Sequence, residues 1–159
     1  MKAKVNKSTI LVLTDFSSSA RNAADYALQL AEKFNGDLLL FHSYFIPTSV
    51  YDSWPSKDYP AILQKSLDRL QDEAKRLENL LSRQGSTFLP HIDYVTEGGT
   101  VAENVMELVK QNPGIMMVVM GGYKAHNNDD FLFGTAISEV LGKAKCPAVV
   151  VPECEFAAI

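Results

Sequence analysis

Residues 115–120 read IMMVVM, six apolar residues in an unbroken run that follows Pro113-Gly114 and leads into Gly121-Gly122. A strand with one wet face alternates apolar and polar residues. A run with no polar beat belongs to a strand covered on both faces. ILVL at residues 10–13 reads the same way.

Three further apolar bursts complete the set: Leu38–Phe41, Phe88–Val95 and Ala148–Val151. Phe88–Val95 alternates less cleanly and contains Pro90, which cannot donate to a ladder, so it is expected nearer a sheet edge. Between the bursts lie stripes at spacings of three and four, the mark of amphipathic helices. Ala20, Ala23, Ala24, Ala27, Leu28, Ala31 and Phe34 form the first, with N-caps offered by Ser17–Ser19 and a stop at Gly36. Leu63, Leu67, Leu70, Ala74, Leu77 and Leu81 form the second, ended by Gly85. Val101, Val105, Leu108 and Val109 follow a Thr100 cap, and Ile137, Val140, Leu141 and Ala144 run up to Cys146-Pro147.

Strand and helix thus alternate from end to end, which implies right-handed crossovers and a parallel sheet between helices. The expected fold is α/β, a doubly wound five-stranded parallel sheet, Rossmann-like, in one domain over 1–159 (core 8–152, tail 153–159). The connection Ile46–Tyr59, with Trp54 and two prolines, is the one long irregular segment, a lid or a surface loop.

Composition narrows the function. Of 159 residues, 47% are hydrophobic and 21% charged, an ordinary globular balance. A net charge of −4 gives no electrostatic reason to expect nucleic acid or an anionic membrane surface as partner. No apolar stretch approaches the roughly 20 residues of a membrane span, and the run after the basic N-terminus is too short for a secretory core. Cys146 and Cys154 are read as reduced thiols of a cytoplasmic protein, and His42, His91 and His126 show no zinc-ligand spacing with them.

In such sheets a ligand lies beyond the carboxyl ends of the strands, where the strand order reverses. Three segments fall there: Thr14–Ser17, His42–Tyr44 and Met120–Thr135, which reads MGGYKAHNNDDFLFGT. Asp15 could accept from an adenine amino group or a ribose hydroxyl, or it could cap a helix. Gly134-Thr135 opens a helix whose amides suit an anion.

TDFS after ILVL, the burst LLLFHSY, the Met120–Thr135 loop and the ending AKCPAVVVP together resemble the universal stress protein family, in order, from about Ser8 to Pro152. The resemblance implies five parallel strands, a homodimer built on the C-terminal strand, and a site for ATP or another adenine nucleotide, with or without Mg. Nucleotide-binding members carry Gly, two residues, Gly, nine residues, then Gly-Ser or Gly-Thr. Here Gly121 and Gly134-Thr135 keep the count, but the middle position is Lys124. Carried over by position, adenine and ribose fall near Leu13, Asp15, Ser43, Met120 and Gly121, and phosphates near Lys124, Gly134, Thr135 and Ala136. The family often has proline where Leu13 stands.

Lysine at 124 removes a residue that tolerates positive φ and close phosphate approach, while supplying an ammonium group in exchange. Asp129 and Asp130 oppose phosphate unless they face solvent or share a divalent cation. The ligand readings therefore stay open: weak or selective adenine-nucleotide binding, another small anion, or an empty crevice in a protein-interaction module. No residue set reads as catalytic. His126 is taken as a solvated loop histidine, His42 as a satisfied half-buried imidazole and Cys146 as a small packing residue. A nucleotide hydrolase and a phospho-acceptor receiver are the more distant alternatives.

Overall fold

The computed structural model describes residues 8–44, 59–85, 87–122 and 134–152. Five strands alternate with four helices: β1 (Thr9–Leu13), α1 (Ser18–Phe34), β2 (Asp37–Tyr44), α2 (Tyr59–Gln84), β3 (Ile92–Gly98), α3 (Val101–Gln111), β4 (Ile115–Gly122), α4 (Gly134–Lys143) and β5 (Ala148–Pro152). All strand pairings are parallel, in the order β3-β2-β1-β4-β5. The chain winds outward from β1 through β2 to β3, then returns to β1's other side with β4. That reversal leaves a crevice at the carboxyl ends of β1 and β4.

The unbroken apolar runs have the expected cause. Along β1, Ile10 and Val12 pack into a cluster with α1 and α2, while Leu11 and Leu13 pack into a second cluster with α3 and α4. Period-two alternation sends neighbours to opposite faces, and each face meets a helix layer. Ala20, Ala23, Ala24, Ala27 and Ala31 are buried with Leu28, so α1 lies against the sheet mostly on methyl groups and approaches it closely.

Helix ends follow side-chain chemistry. Ser17 Oγ accepts from the Ala20 amide at 3.2 Å and caps α1. Thr100 Oγ1 accepts from the Glu103 amide and caps α3. Gly85, at φ 62°, terminates α2.

Four expectations need correction. Asn35, not Gly36, takes the left-handed cap of α1 (φ 51°), and Gly36 donates its amide to the Ala31 carbonyl at 2.8 Å. Gly36 is glycine for another reason: a Cβ there would collide with the Ser8 carbonyl oxygen. β3 starts at Ile92 rather than Phe88, because pairing begins only beyond Pro90, and Leu89 is exposed. It is an edge strand, as the proline indicated. Phe34 and Leu141 are exposed despite their place in apolar stripes. Phe34 ends its helix, and Leu141 sits one residue round from the Ile137–Val140–Ala144 seam.

Candidate functional site

The carboxyl end of β1 turns into α1 through Thr14-Asp15-Phe16-Ser17. Two side chains fold this turn onto itself: Thr14 Oγ1 accepts from the Phe16 amide, and Asp15 Oδ1 from the Ser17 amide, both at 3.0 Å. Asp15 therefore shapes the turn, while Ser17 is the cap. Phe16 is left-handed, at φ 66°. For a bulky L-residue that costs about 1–2 kcal/mol, which the two hydrogen bonds help to hold.

The turn is anchored to β2. Thr14 donates its amide to the Phe41 carbonyl at 2.9 Å, and His42 Nδ1–H donates to the Thr14 carbonyl at 2.8 Å. The Phe16 ring packs against the His42 imidazole with centroids 4.6 Å apart. Burial, with the nearby Arg69 charge, pushes the His42 pKa below its ordinary value, although the Thr14 bond and Asp15 pull the other way. With Nδ1 protonated and the ring neutral, Nε2 carries a lone pair.

A cavity of about 140 Å³ opens between these strand ends. Leu13, Asp15 and Ser43 line it from β1 and β2, Met120 and Gly121 from β4, and Ala136 from the start of α4. That volume is close to the ~150 Å³ of a cavity that admits benzene, and below the ~300–1,000 Å³ of whole-ligand pockets. It has room for one planar ring. Ser17 and Ala20 of α1, Val101 of α3 and Ala136 of α4 all reach it, so three helix N-termini converge on the crevice. Their dipoles favour negative charge there, against the Asp15 carboxylate in the same lining.

Six of the nine site positions read from the sequence line this cavity. Gly134 and Thr135 form the first turn of α4, beside Ala136. Lys124 lies outside the described residues, as do Tyr123, His126, Asp129, Asp130, most of the Ile46–Tyr59 connection and the tail. Ser43 is more committed than expected. Its hydroxyl donates to the Gly99 carbonyl at 2.6 Å, and Asn104 Nδ2 approaches its oxygen at 3.4 Å, so its side chain ties β2 to the β3–α3 turn. Thr14, Ser17 and His42 also line it, from segments the sequence placed at the crevice, whereas Ala20, Phe41, Val101 and Ile137 were not anticipated there. Extending the strand-end rule by one residue would have found Phe41.

Gly121 has a structural reason of its own. A Cβ there would lie 2.5 Å from Ser19 Oγ and 2.6 Å from the Ser19 carbonyl oxygen, so the first turn of α1 can sit over β4 only above a glycine. Cys146 is half-buried, and burial pushes its thiol above the ordinary value, away from a reactive thiolate. Among the described residues no group of three metal-ligating side chains occurs, and no helix is long and apolar enough to cross a membrane.

Comparison with family models matches residues 7–152 to the universal stress protein family. The chain belongs to that family. Comparison with curated proteins finds no match. Solved family structures share the fold. A universal stress protein from Burkholderia pseudomallei is 24% identical with TM-score 0.67, the alignment covering 92% of this chain and 96% of that one. A universal stress protein in complex with cAMP is 22% identical with TM-score 0.57, over 92% and 98% of the two chains. A family protein from Arabidopsis thaliana with AMP bound is 13% identical with TM-score 0.52, over 93% of both.

Proposed function

We propose that this chain is a stress-response module whose crevice takes an adenine nucleotide, weakly or selectively, with the base and ribose recognised ahead of the phosphates. The observation that carries the reading is the ring-sized cavity at the β1/β4 switch point, with the Asp15 carboxylate at its rim. Apolar Leu13 and Met120 suit the faces of a purine, and Asp15 can accept from an amino or hydroxyl group. The relatives bound to cAMP and AMP support the ligand class. The α4 N-terminus at Gly134-Thr135 suits a phosphate, with Lys124 as a point-charge partner.

Calorimetric titration with ATP, ADP and AMP, with and without Mg, tests this. Saturable heat with at least one nucleotide, weakened in Asp15→Ala, is expected; absence of heat at millimolar ligand overturns it. Lys124→Ala separates the roles of that side chain: loss of affinity makes it a phosphate ligand.

Lysine at 124 favours a second reading, an interaction module with an empty crevice. If Lys124→Gly creates ATP affinity where none existed, that reading holds. In either case we propose a cytoplasmic homodimer without catalytic activity. β5 is an edge strand with half-buried Ala148, Val149 and Val150, a ready template for pairing with a twin.

A further inference from the structure

A second hollow, of about 170 Å³, lies between α1 and α2 and shares no lining residue with the crevice. Arg69, Asp72, Glu73 and Arg76 line it from α2, at spacings that put them on one helix face, with Arg21 of α1 and the Phe16 ring opposite. Its size is an order of magnitude above the roughly 10–15 Å³ that one water needs.

The charges in it are unevenly used. Glu73 is buried and held by a fork from Arg76, whose Nη2 and Nε reach its two carboxylate oxygens at 2.6 and 3.0 Å. The third nitrogen of Arg76, Nη1, lies 2.8 Å from Asp25 Oδ1. Arg76 is thus consumed by its own carboxylates. Arg21 and Arg69 are different: among the described residues neither has a carboxylate within ion-pair distance. Arg69 is nonetheless positioned, its guanidinium carbon 4.2 Å from the centre of the Phe16 ring. Asp72, likewise without an ion pair among the described residues, can only accept hydrogen bonds.

We propose that this hollow is a second ligand site, which takes a small hydroxylated phosphate ester with its phosphate between Arg21 and Arg69 and a hydroxyl on Asp72. A phosphate dianion matches two guanidinium charges that have no carboxylate partner among the described residues, and its oxygens can serve both forks at once. A second carboxyl group would be repelled by Asp72; a hydroxyl would donate to it. The Phe16 ring holds Arg69 in place before the ligand arrives, which lowers the ordering cost of binding. The same ring touches His42 in the crevice, so an anion on Arg69 is felt there.

The test is an NMR titration with glycerol 3-phosphate and, separately, inorganic phosphate. It follows the Nε–H signals of Arg21 and Arg69 and the ring signals of His42. Saturable shifts at both arginines are expected at millimolar ligand, together with a rise in the His42 titration midpoint. They should vanish in Arg69→Gln, whose backbone spectrum must remain that of a folded chain, and persist in Lys124→Ala, a change in the Met120–Thr135 segment of the proposed nucleotide site. Tighter binding of the ester than of inorganic phosphate, lost in Asp72→Ala, supports the hydroxyl contact; equal binding of the two overturns it. Linear, non-saturating shifts, or shifts that survive Arg69→Gln, overturn the site itself. Nucleotide binding in the crevice can fail without altering any of these outcomes.

Discussion

The Ser19 hydroxyl donates to the Gly122 carbonyl at 2.8 Å, joining the first turn of α1 to the last residue of β4. Ser19 is buried, and the neighbouring Gly121 leaves no space for a side chain beneath it. One crossing therefore sets both the seat of α1 and the width of the crevice, since Gly121 also lines the cavity.

Gly121→Ala is expected to destabilise the chain by about 1–3 kcal/mol, because the added methyl meets Ser19 backbone atoms that cannot swing aside. Thermal melting should show a drop of roughly 2–4 °C per kcal/mol for a chain of this size. Gly142→Ala is the matched control. A Cβ at Gly142, inside the last turns of α4, meets nothing within 4 Å, so this change should raise stability by about 0.4–1 kcal/mol. Equal effects from the two substitutions would contradict the packing account.

Arg76 is expected to matter more than a surface arginine. Among the described residues it is the cation paired with the buried Glu73 carboxylate, and the fork keeps the guanidinium firmly protonated. Asp25 gains less from the same arginine: burial outweighs the attraction and raises its pKa above the ordinary value. Arg76→Met leaves Glu73 buried and unpaired, at a cost of up to about 3 kcal/mol after allowing for the partial exposure of Arg76. The double substitution Glu73→Leu with Arg76→Met should recover most of the loss. Denaturant unfolding of the single and double variants measures the coupling, and additive losses would show that the pair is not one unit.

The β5 edge yields a third expectation. Sedimentation at micromolar concentration should show a dimer, and Val150→Asp, which places a charge on the half-buried face of the edge strand, should shift it towards monomer. A chain that sediments as a monomer before any substitution removes β5 as a dimerisation strand.

What was legible in the sequence depended on whether a signal was local. ILVL and IMMVVM announced two-faced burial because six or four successive apolar residues admit no other cheap arrangement in a soluble sheet. Ser17 and Thr100 announced caps because a cap acts over three residues. The crevice position followed from topology alone. Phe16 did not: nothing in TDFS says that its bulky third residue is left-handed, because that conformation is set by Thr14 and Asp15 together. The arginine hollow was equally hidden, since Arg21 and Arg69 are far apart in sequence and meet only when α2 packs beside α1. Ser43 was assigned by family position, which says nothing of its hydroxyl being already donated to Gly99 across the fold.

The His42 imidazole should give the chain a measurable pH dependence. It is half-buried, donates from Nδ1 to Thr14, and faces Phe16, Arg69 and Asp15. Its folded pKa lies below the ordinary 6.5, so just below that pH the unfolded chain binds more protons at this position than the folded one. Stability from this group is therefore complete above about 6.5 and falls as pH drops from there to the lowered folded value, where the loss levels off. His42→Asn keeps a donor near the Nδ1 position but cannot titrate, so its unfolding free energy should vary less between pH 7 and 5. Imidazole signals followed against pH give the folded midpoint directly. A midpoint at or above 6.5, or a variant with an unchanged slope, would show that His42 sits in water rather than against the crevice wall.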